Sequence, residues 1–147
     1  MREILFKAKR IDNGEWVEGY YYKISETTYC FKEDYERKPV PEHHYILQER
    51  MTDWGLPNQM VQIEIDPETL CQYTGLTDKN GNRIWENDII QYENITAPVR
   101  FGFHDLGYGF YVDFLRETYL REELGYWRTK VIVTGNIFDN PELAKEG

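Results

Sequence analysis

Apolar and polar residues alternate in short runs along most of this chain, which is the spacing expected of half-buried β-strands. Residues 3–9 alternate in this way, and a turn at Asn13 and Gly14 leads into a second run at 16–22. This pattern predicts an N-terminal β-hairpin. Gly19 lies inside the second strand and predicts a bulge or a close approach of the backbone, not a ligand loop.

The same alternation predicts a series of further short strands. Residues 43–49 fit a strand or the start of a helix, and a strand is favoured because two prolines precede them without a capping residue. The strands after the hairpin are predicted at 43–49, 60–65, 70–73, 83–85, 89–92, 99–104, 109–114 and 130–135. Asp66 and Pro67 end the strand before them. Residues 115–124 fit either a helix that stops at Gly125 or a long hairpin loop.

Turn chemistry marks the ends of several of these elements. Asn80 and Gly81 both tolerate positive φ and predict a tight type I′ hairpin turn. Asp78 and Asp88 lie at turns, where their carboxylates are expected to accept backbone N–H groups instead of acting as an acid or base. At the C-terminus, Asn140 and Pro141 predict the cap and first residue of a short helical turn.

The composition fits one folded domain. The chain has 147 residues, of which 41% are hydrophobic and 16% aromatic, too rich in core-forming side chains for a disordered protein. We expect a single domain over 1–147, with an N-terminal β region at 1–66 and a compact β unit at 67–147. The fold class is predicted to be mainly β.

The charge argues against nucleic acid as a partner. The net charge is −9 and the pI about 4.8, whereas phosphate binding depends on clustered Lys and Arg. A nucleic-acid-associated protein nevertheless stays open as the alternative function, because five basic residues could gather on one face. They are Arg100, Arg116, Arg121, Arg128 and Lys130.

Cys30 and Cys71 stand apart, without metal-ligand spacing, and are predicted to be buried thiols in a reducing compartment. The first residues lack the apolar core of a signal peptide, and no run of 18 apolar residues occurs. These observations predict a cytoplasmic protein with no membrane partner.

Candidate chemistry is sparse. His43 and His44 are adjacent, so in a strand they point to opposite faces and make a poor metal site. The fragment Gly107–Gly109 lacks the strand-to-helix context of a phosphate loop. We therefore expect no cofactor, no metal and no enzyme activity, although an enzyme whose site is invisible in sequence stays a minor alternative.

Three groups of motifs, in order along the chain, resemble the YopX family of phage and prophage proteins. They are REILFKAKR with NGEWVEGY, QYTGLTDKNG with IWENDII, and GNIFDNPEL. The resemblance implies an SH3-like β-barrel or roll at about 69–140, against which the N-terminal β-hairpin region packs. It brings no catalytic residues. Asn87 stands where the family pattern has Gly, and Asn tolerates the left-handed backbone that such a turn needs.

Aromatic residues are the remaining functional signal. SH3-like barrels commonly bind peptides through exposed aromatics, and aromatics are enriched at interfaces. We expect a non-enzymatic phage or prophage accessory protein in the bacterial host cytoplasm, which binds an unknown protein partner or forms a homo-oligomer. The candidate surface residues are Tyr20, Tyr22, Trp85, Tyr108 and Tyr111.

Overall fold

A computed structural model describes residues 1–26, 41–105, 107–114 and 122–144. The chain divides into two compact units. The N-terminal unit comprises Leu5–Leu70, and the C-terminal unit comprises Met1–Ile4 with Cys71–Gly147. Antiparallel strands dominate both units, so the predicted mainly β class is confirmed.

In the part of the N-terminal unit that the structure describes, four strands lie in the spatial order β4-β3-β2-β1. They are β1 Phe6–Lys9, β2 Trp16–Ser25, β3 Glu42–Arg50 and β4 Gln59–Glu64. All neighbouring strands pair antiparallel. The predicted N-terminal hairpin is therefore confirmed, as is the interpretation of 43–49 as a strand.

The β1–β2 turn has the chemistry that its sequence predicts. Gly14 adopts φ +72°, and its N–H donates to the carbonyl of Arg10 at 3.0 Å. The Asn13 side chain accepts the N–H of Glu15 at 2.9 Å. Asn13 thereby holds the loop shape with a local side-chain to backbone bond.

Gly19 marks a close approach of the backbone and not a bulge. It pairs with Phe6 in an unbroken register, while the next residue of β2 pairs with Leu47. A Cβ at Gly19 would run into the carbonyl oxygen of Leu47. Only glycine fits there because any side chain would begin inside that oxygen's van der Waals radius.

Apolar residues at alternate positions of the four strands form the core of the N-terminal unit. The buried members of this core are Ala8, Val17, Ile46, Ile63 and Ile65. A short 3₁₀ turn, Pro67–Thr69, follows β4. Asp66 starts it by accepting the N–H of Glu68 at 3.0 Å, which confirms that Asp66 and Pro67 end the preceding strand.

The described residues of the C-terminal unit form six strands and two helical turns. They are β5 Cys71–Thr77, β6 Arg83–Trp85, β7 Asp88–Tyr92, β8 Ile95–His104, β9 Gly107–Val112, α1 Leu124–Trp127, β10 Ile132–Asn136 and α2 Pro141–Ala144. The last four strands form a sheet in the order β10-β7-β8-β9, and β5 pairs with β6. Each predicted strand of this region is present, with its ends shifted by a few residues.

The described strands do not close into a barrel, so this part of the predicted fold is wrong. The four-stranded sheet is open, with β10 and β9 as its two outer strands. One face of it covers the core of the unit together with α1. The buried members of this core are Ile84, Ile90, Ala97, Val99, Val112, Phe114, Leu124, Trp127 and Val131.

The β5–β6 loop is not the predicted type I′ turn. Gly81 has φ +83°, but Asn80 is not among the residues with positive φ. The N–H of Gly81 donates to the carbonyl of Asp78 at 3.0 Å, and the N–H of Asp78 donates to Asn82 at 2.8 Å. The loop thus spans five residues, because the Asp78 side chain organises it.

The Asp78 carboxylate is buried and joins this loop to β10. It accepts N–H groups of Asn80 and Asn82 at 2.9 Å each, and the N–H of Val133 at 2.9 Å. Burial by itself would raise the pKa of the Asp78 carboxyl, but these hydrogen bonds, that of Val133 first, bring it below its ordinary value. Asp78 has the structural role that its sequence context predicts.

Asn87 lies in the turn between β6 and β7, and Asp88 follows it as the first residue of β7. Asn87 adopts φ +71°, which agrees with a residue that stands in place of glycine. Its N–H donates to Val99 and its carbonyl accepts the N–H of Ile137. Asp88 is buried, and its carboxylate accepts the N–H of Trp85 at 2.9 Å.

The stretch predicted as a helix or hairpin loop, 115–124, lies outside the described residues up to 121. The predicted helix end at Gly125 is wrong, since Gly125 lies inside α1. Leu124 and Trp127 are both buried on one side of this single turn. Their burial stabilises the helical turn although it contains Gly125, because tertiary packing overrides a weak local stop signal.

The predicted C-terminal helical turn is confirmed, although its cap differs. Pro141 is the first residue of α2, and the carbonyl of Asn140 accepts the N–H of Leu143 at 3.1 Å. The Asn140 side chain turns back instead, and accepts the N–H of Asn136 at 3.3 Å. Asn140 therefore ties the turn to the end of β10.

Candidate binding surface

The β8–β9 hairpin carries a row of aromatic side chains beyond the core of the C-terminal unit. Val99 pairs with Val112, and both are buried. Further along the same face, Phe101 pairs with Phe110 and Phe103 pairs with Tyr108. We call these four rings, Phe101, Phe103, Tyr108 and Phe110, the aromatic ladder.

The rings of the ladder pack on one another edge to face. The centroid of Tyr108 lies 4.7 Å from that of Phe103 and 5.0 Å from that of Phe101. Phe101 and Phe110 lie 4.9 Å apart. Aromatic pairs in this geometry contribute roughly 0.5–1.5 kcal/mol beyond the area they bury, so the rings hold each other in place.

Most of the ladder is exposed. The relative exposure is 83% for Phe103, 62% for Tyr108 and 48% for Phe101, while Phe110 is half-buried at the edge of the core. A contiguous row of exposed aromatics is unusual on a monomer, and marks an interaction site more often than a scattered single residue does. We therefore take the ladder as the candidate binding surface of the C-terminal unit.

The other face of the hairpin tip carries mostly glycines. Gly102 pairs with Gly109, and His104 pairs with Gly107. Tyr111 also lies on this face, and a Cβ at Gly102 would meet its ring at 3.8 Å. The rings of the ladder therefore lie on one face of the hairpin, while glycines, His104 and Tyr111 occupy the other.

The five predicted surface aromatics do not form one surface. Tyr20 and Tyr22 share a face of β2 in the N-terminal unit; Tyr20 is exposed and Tyr22 partly so. Trp85 is only 4% exposed, and its ring packs on Tyr73. Its burial excludes Trp85 from any exposed surface. Ile84 beside it is also buried, so both faces of β6 are covered.

Tyr108 and Tyr111 lie on opposite faces of β9, since they are three residues apart in a strand. Tyr108 belongs to the ladder, whereas the Tyr111 ring lies 5.9 Å from that of His104. Phe101 and Phe103 are not among the residues that the sequence predicted for a binding surface. They alternate along β8 with Ala97 and Val99, so the four side chains share one face of the strand. That alternation does not show at which residue the core ends.

A charged cluster in the N-terminal unit holds the ends of three strands together. His43 Nδ1 lies 2.9 Å from Glu64, and His43 Nε2 lies 2.8 Å from Glu26. These two carboxylates, Glu64 first, raise the pKa of His43 above its ordinary value. His44 instead lies 2.7 Å from the Tyr21 hydroxyl, so the two histidines have separate partners.

Among the described residues, one group offers the donor atoms of a metal site. Ligand atoms of His104, Asp105 and Glu122 lie within 4.8 Å of one another. The Glu122 carboxylate accepts the N–H of Asp105 at 3.1 Å, and His104 Nδ1 lies 3.3 Å from the Asp105 carboxylate. These hydrogen bonds account for the arrangement without an ion.

The five basic residues of the nucleic-acid alternative fall only partly within the described chain. Arg116 and Arg121 lie outside it. Arg100 is exposed on β8, and Arg128 and Lys130 are exposed after α1. The Lys130 ammonium lies 4.4 Å from the centre of the Tyr126 ring, so it makes a cation–π contact.

The predicted cysteine burial is confirmed for Cys71, and Cys30 lies outside the described residues. The Asn87 amide donates to the Cys71 sulfur at 3.7 Å. Within the described parts of the chain, every helix is too short or too polar to cross a bilayer.

Comparison with solved structures finds a likeness to a protein described as "Crystal structure of protein EF1440 from Enterococcus faecalis". The two chains are 20% identical with a TM-score of 0.50, and the match covers 99% of this chain and 100% of the other. At that identity the likeness shows the fold alone. A search of curated proteins finds no match. A family model, described as YopX protein, matches residues 5–145, and this chain therefore belongs to the YopX family.

Proposed function

We propose that this chain is a non-enzymatic accessory protein of phages or prophages that acts by binding a protein surface through the aromatic ladder. One observation carries the proposal: Phe101, Phe103 and Tyr108 are exposed while in mutual edge-to-face contact. Preorganised rings lose little conformational entropy on binding, and aromatic residues dominate the energetics of protein interfaces.

A second copy of the chain is the first partner to consider. A surface built on an edge hairpin can meet its own copy about a two-fold axis, which is the commonest symmetry of soluble oligomers. The resemblance to the YopX family supports the phage or prophage setting. The buried Cys71 thiol agrees with a reducing cytoplasm.

We also propose that the C-terminal unit is an SH3-like roll. The support is its run of short antiparallel strands, in which β7, β8 and β9 follow one another and β10 returns to the other side of β7. The β5–β6 hairpin would supply the remaining strands of such a roll.

The test is the solution mass over a concentration series, measured by light scattering. We compare the wild type with the double variant Phe103→Ser, Tyr108→Ser and with the control Trp54→Ser, which removes an exposed ring from the other unit. We expect a wild-type dimer whose dissociation constant rises by about 100-fold in the double variant, since each lost anchor ring is worth roughly 1–2 kcal/mol. The control should behave as wild type.

A strictly monomeric wild type would eliminate the second copy and leave a foreign protein as the partner. The deciding experiment is then a host-lysate pull-down with the wild type and the double variant. If both retained the same proteins, the aromatic ladder would not be the binding surface.

A further inference from the structure

The outer edge of β4 is a second candidate site, in the N-terminal unit. The N–H of Ile65 donates to the carbonyl of His44 on the β3 side at 2.9 Å. Bonds across an antiparallel pair recur at every second residue, so Ile63 and Val61 also bond toward β3. The backbone N–H and C=O of Gln62 therefore point away from β3, toward the outer edge.

The chain itself begins to pair with this edge and then leaves it. The N–H of Ile11 donates to the carbonyl of Glu64 at 3.2 Å, and the N–H of Asp66 donates to that of Lys9 at 2.9 Å. The chain then turns away into the loop at Gly14. Among the described residues, no strand lies beside the rest of the outer edge.

A cleft of about 370 Å³ lies where the two segments separate. Its lining comprises Arg10, Ile11 and Asp12 on one side, Arg50 at the end of β3, and Val61–Glu64 of β4. This volume falls in the range of roughly 300–1,000 Å³ that is usual for ligand sites. The cleft combines an open strand edge with the apolar surface of Ile11.

The two arginines of the cleft differ in their pairing. Arg10 is held by Asp12, with Nε and Nη2 at 2.9 and 2.7 Å from its carboxylate. Glu64 is engaged by His43. Arg50 has no ion-pair or hydrogen-bond partner among the side chains that the structure describes. An arginine beside an open strand edge complements a carboxylate, because its fork matches the two oxygens.

We propose that this cleft binds an extended acidic peptide segment, which adds a strand to the outer edge of β4 and places a carboxylate against Arg50. Main-chain bonds to Gln62 would continue the pairing that Ile11 begins, and so supply affinity that does not depend on sequence. Arg50 would supply the preference for Asp or Glu.

The probe is a seven-residue peptide of alternating valine and glutamate, acetylated and amidated at its ends, titrated into ¹⁵N-labelled full-length protein. We expect the amide signals of residues 60–64 to shift and their exchange with solvent to slow. Arg50→Gln should weaken binding about tenfold, as expected for loss of a charge-assisted bond. The matched control, Arg100→Gln on β8, should bind as wild type.

Two further peptides separate strand addition from simple charge attraction. A lysine-for-glutamate peptide should bind at least about tenfold more weakly. A peptide N-methylated at its central residues keeps its charge but cannot form the ladder, and should not bind. Absence of shifts at 60–64 at millimolar peptide, or equal binding by Arg50→Gln and the wild type, would overturn the proposal.

The aromatic ladder takes no part in this site. The Phe103→Ser, Tyr108→Ser variant should therefore bind the peptide as wild type does, whatever its oligomeric state.

Discussion

At the residue scale, Asp78 and His43 are two ionisable side chains whose surroundings in the fold shift their pKa values in opposite directions. Asp78 is buried and saturated by backbone N–H groups, which lower the pKa of its carboxyl despite burial. His43 stays accessible between Glu64 and Glu26, which raise its pKa. Asp78 is therefore a structural anion, whereas the charge of the accessible His43 ring changes with pH.

His43 gives a testable pH dependence. Because its pKa is raised in the folded state, the stabilisation it provides is fully present below its ordinary pKa of 6.5 and is lost as pH rises through the folded value. We expect the NMR titration midpoint of the His43 ring to lie above 6.5 and to fall in Glu64→Gln. Glu68→Gln, an exposed control in the same unit, should leave it unchanged. A wild-type midpoint at or below 6.5 would contradict this assignment.

At the element scale, strand existence follows from local pattern, whereas loop shape follows from contacts. The alternation of 60–65 predicts β4, while the prolines before 43–49, without a capping residue, favour a strand for β3. The loop after β5 is different, because Asp78 bonds to Val133 of β10, which is 55 positions away. Nothing in the local sequence reveals that bond, so Asn80 and Gly81 suggest a tighter turn than the one that forms.

Two glycines give a matched pair of substitutions at this scale. Gly19→Ala places a methyl group against the carbonyl oxygen of Leu47, and should lower the free energy of unfolding by about 2–4 kcal/mol. A Cβ at Gly125 meets nothing within 4 Å, so Gly125→Ala should raise stability by about 0.5–1 kcal/mol. Urea denaturation measures both. A neutral Gly19→Ala would show that β2 and β3 do not approach so closely.

At the scale of the whole molecule, the chain builds a separate hydrophobic core in each compact unit. Ile46 is fully buried in the N-terminal core and Ile90 in the C-terminal core. Sequence alternation assigns both residues to strand interiors. It cannot divide them between cores, because the division depends on which strands pair.

Truncating each core separately tests this division. Ile46→Ala should lower the amide protection of β2–β4 by about 2–5 kcal/mol, and Ile90→Ala should do the same for β7–β10. Native-state hydrogen exchange resolves the two sets of amides. Tyr20→Ala, at an exposed position of β2, is the control and should change protection by less than about 0.5 kcal/mol. Undiminished protection of β2–β4 in Ile46→Ala would contradict the burial of that side chain.

The candidate surface shows the same limit of sequence information. Tyr108 was predicted to be on a binding surface and is exposed, but its neighbours there are Phe101 and Phe103. Trp85 carries an equally strong aromatic signal and is buried. A ring on one face of a strand is core or surface according to whether another element covers it, and that coverage is a property of the assembled sheets.

Local pattern alone accounts for the β class, the order of the strands along the chain, the turn at Gly14 and the helical turn at Pro141. These features depend on side-chain alternation and on the φ that a few residues tolerate, so they are encoded within a few positions. Tertiary structure decided the open sheet, the two cores, the aromatic ladder and the cleft beside β4. Each of these depends on pairing between distant segments, whose energy no short stretch of sequence contains.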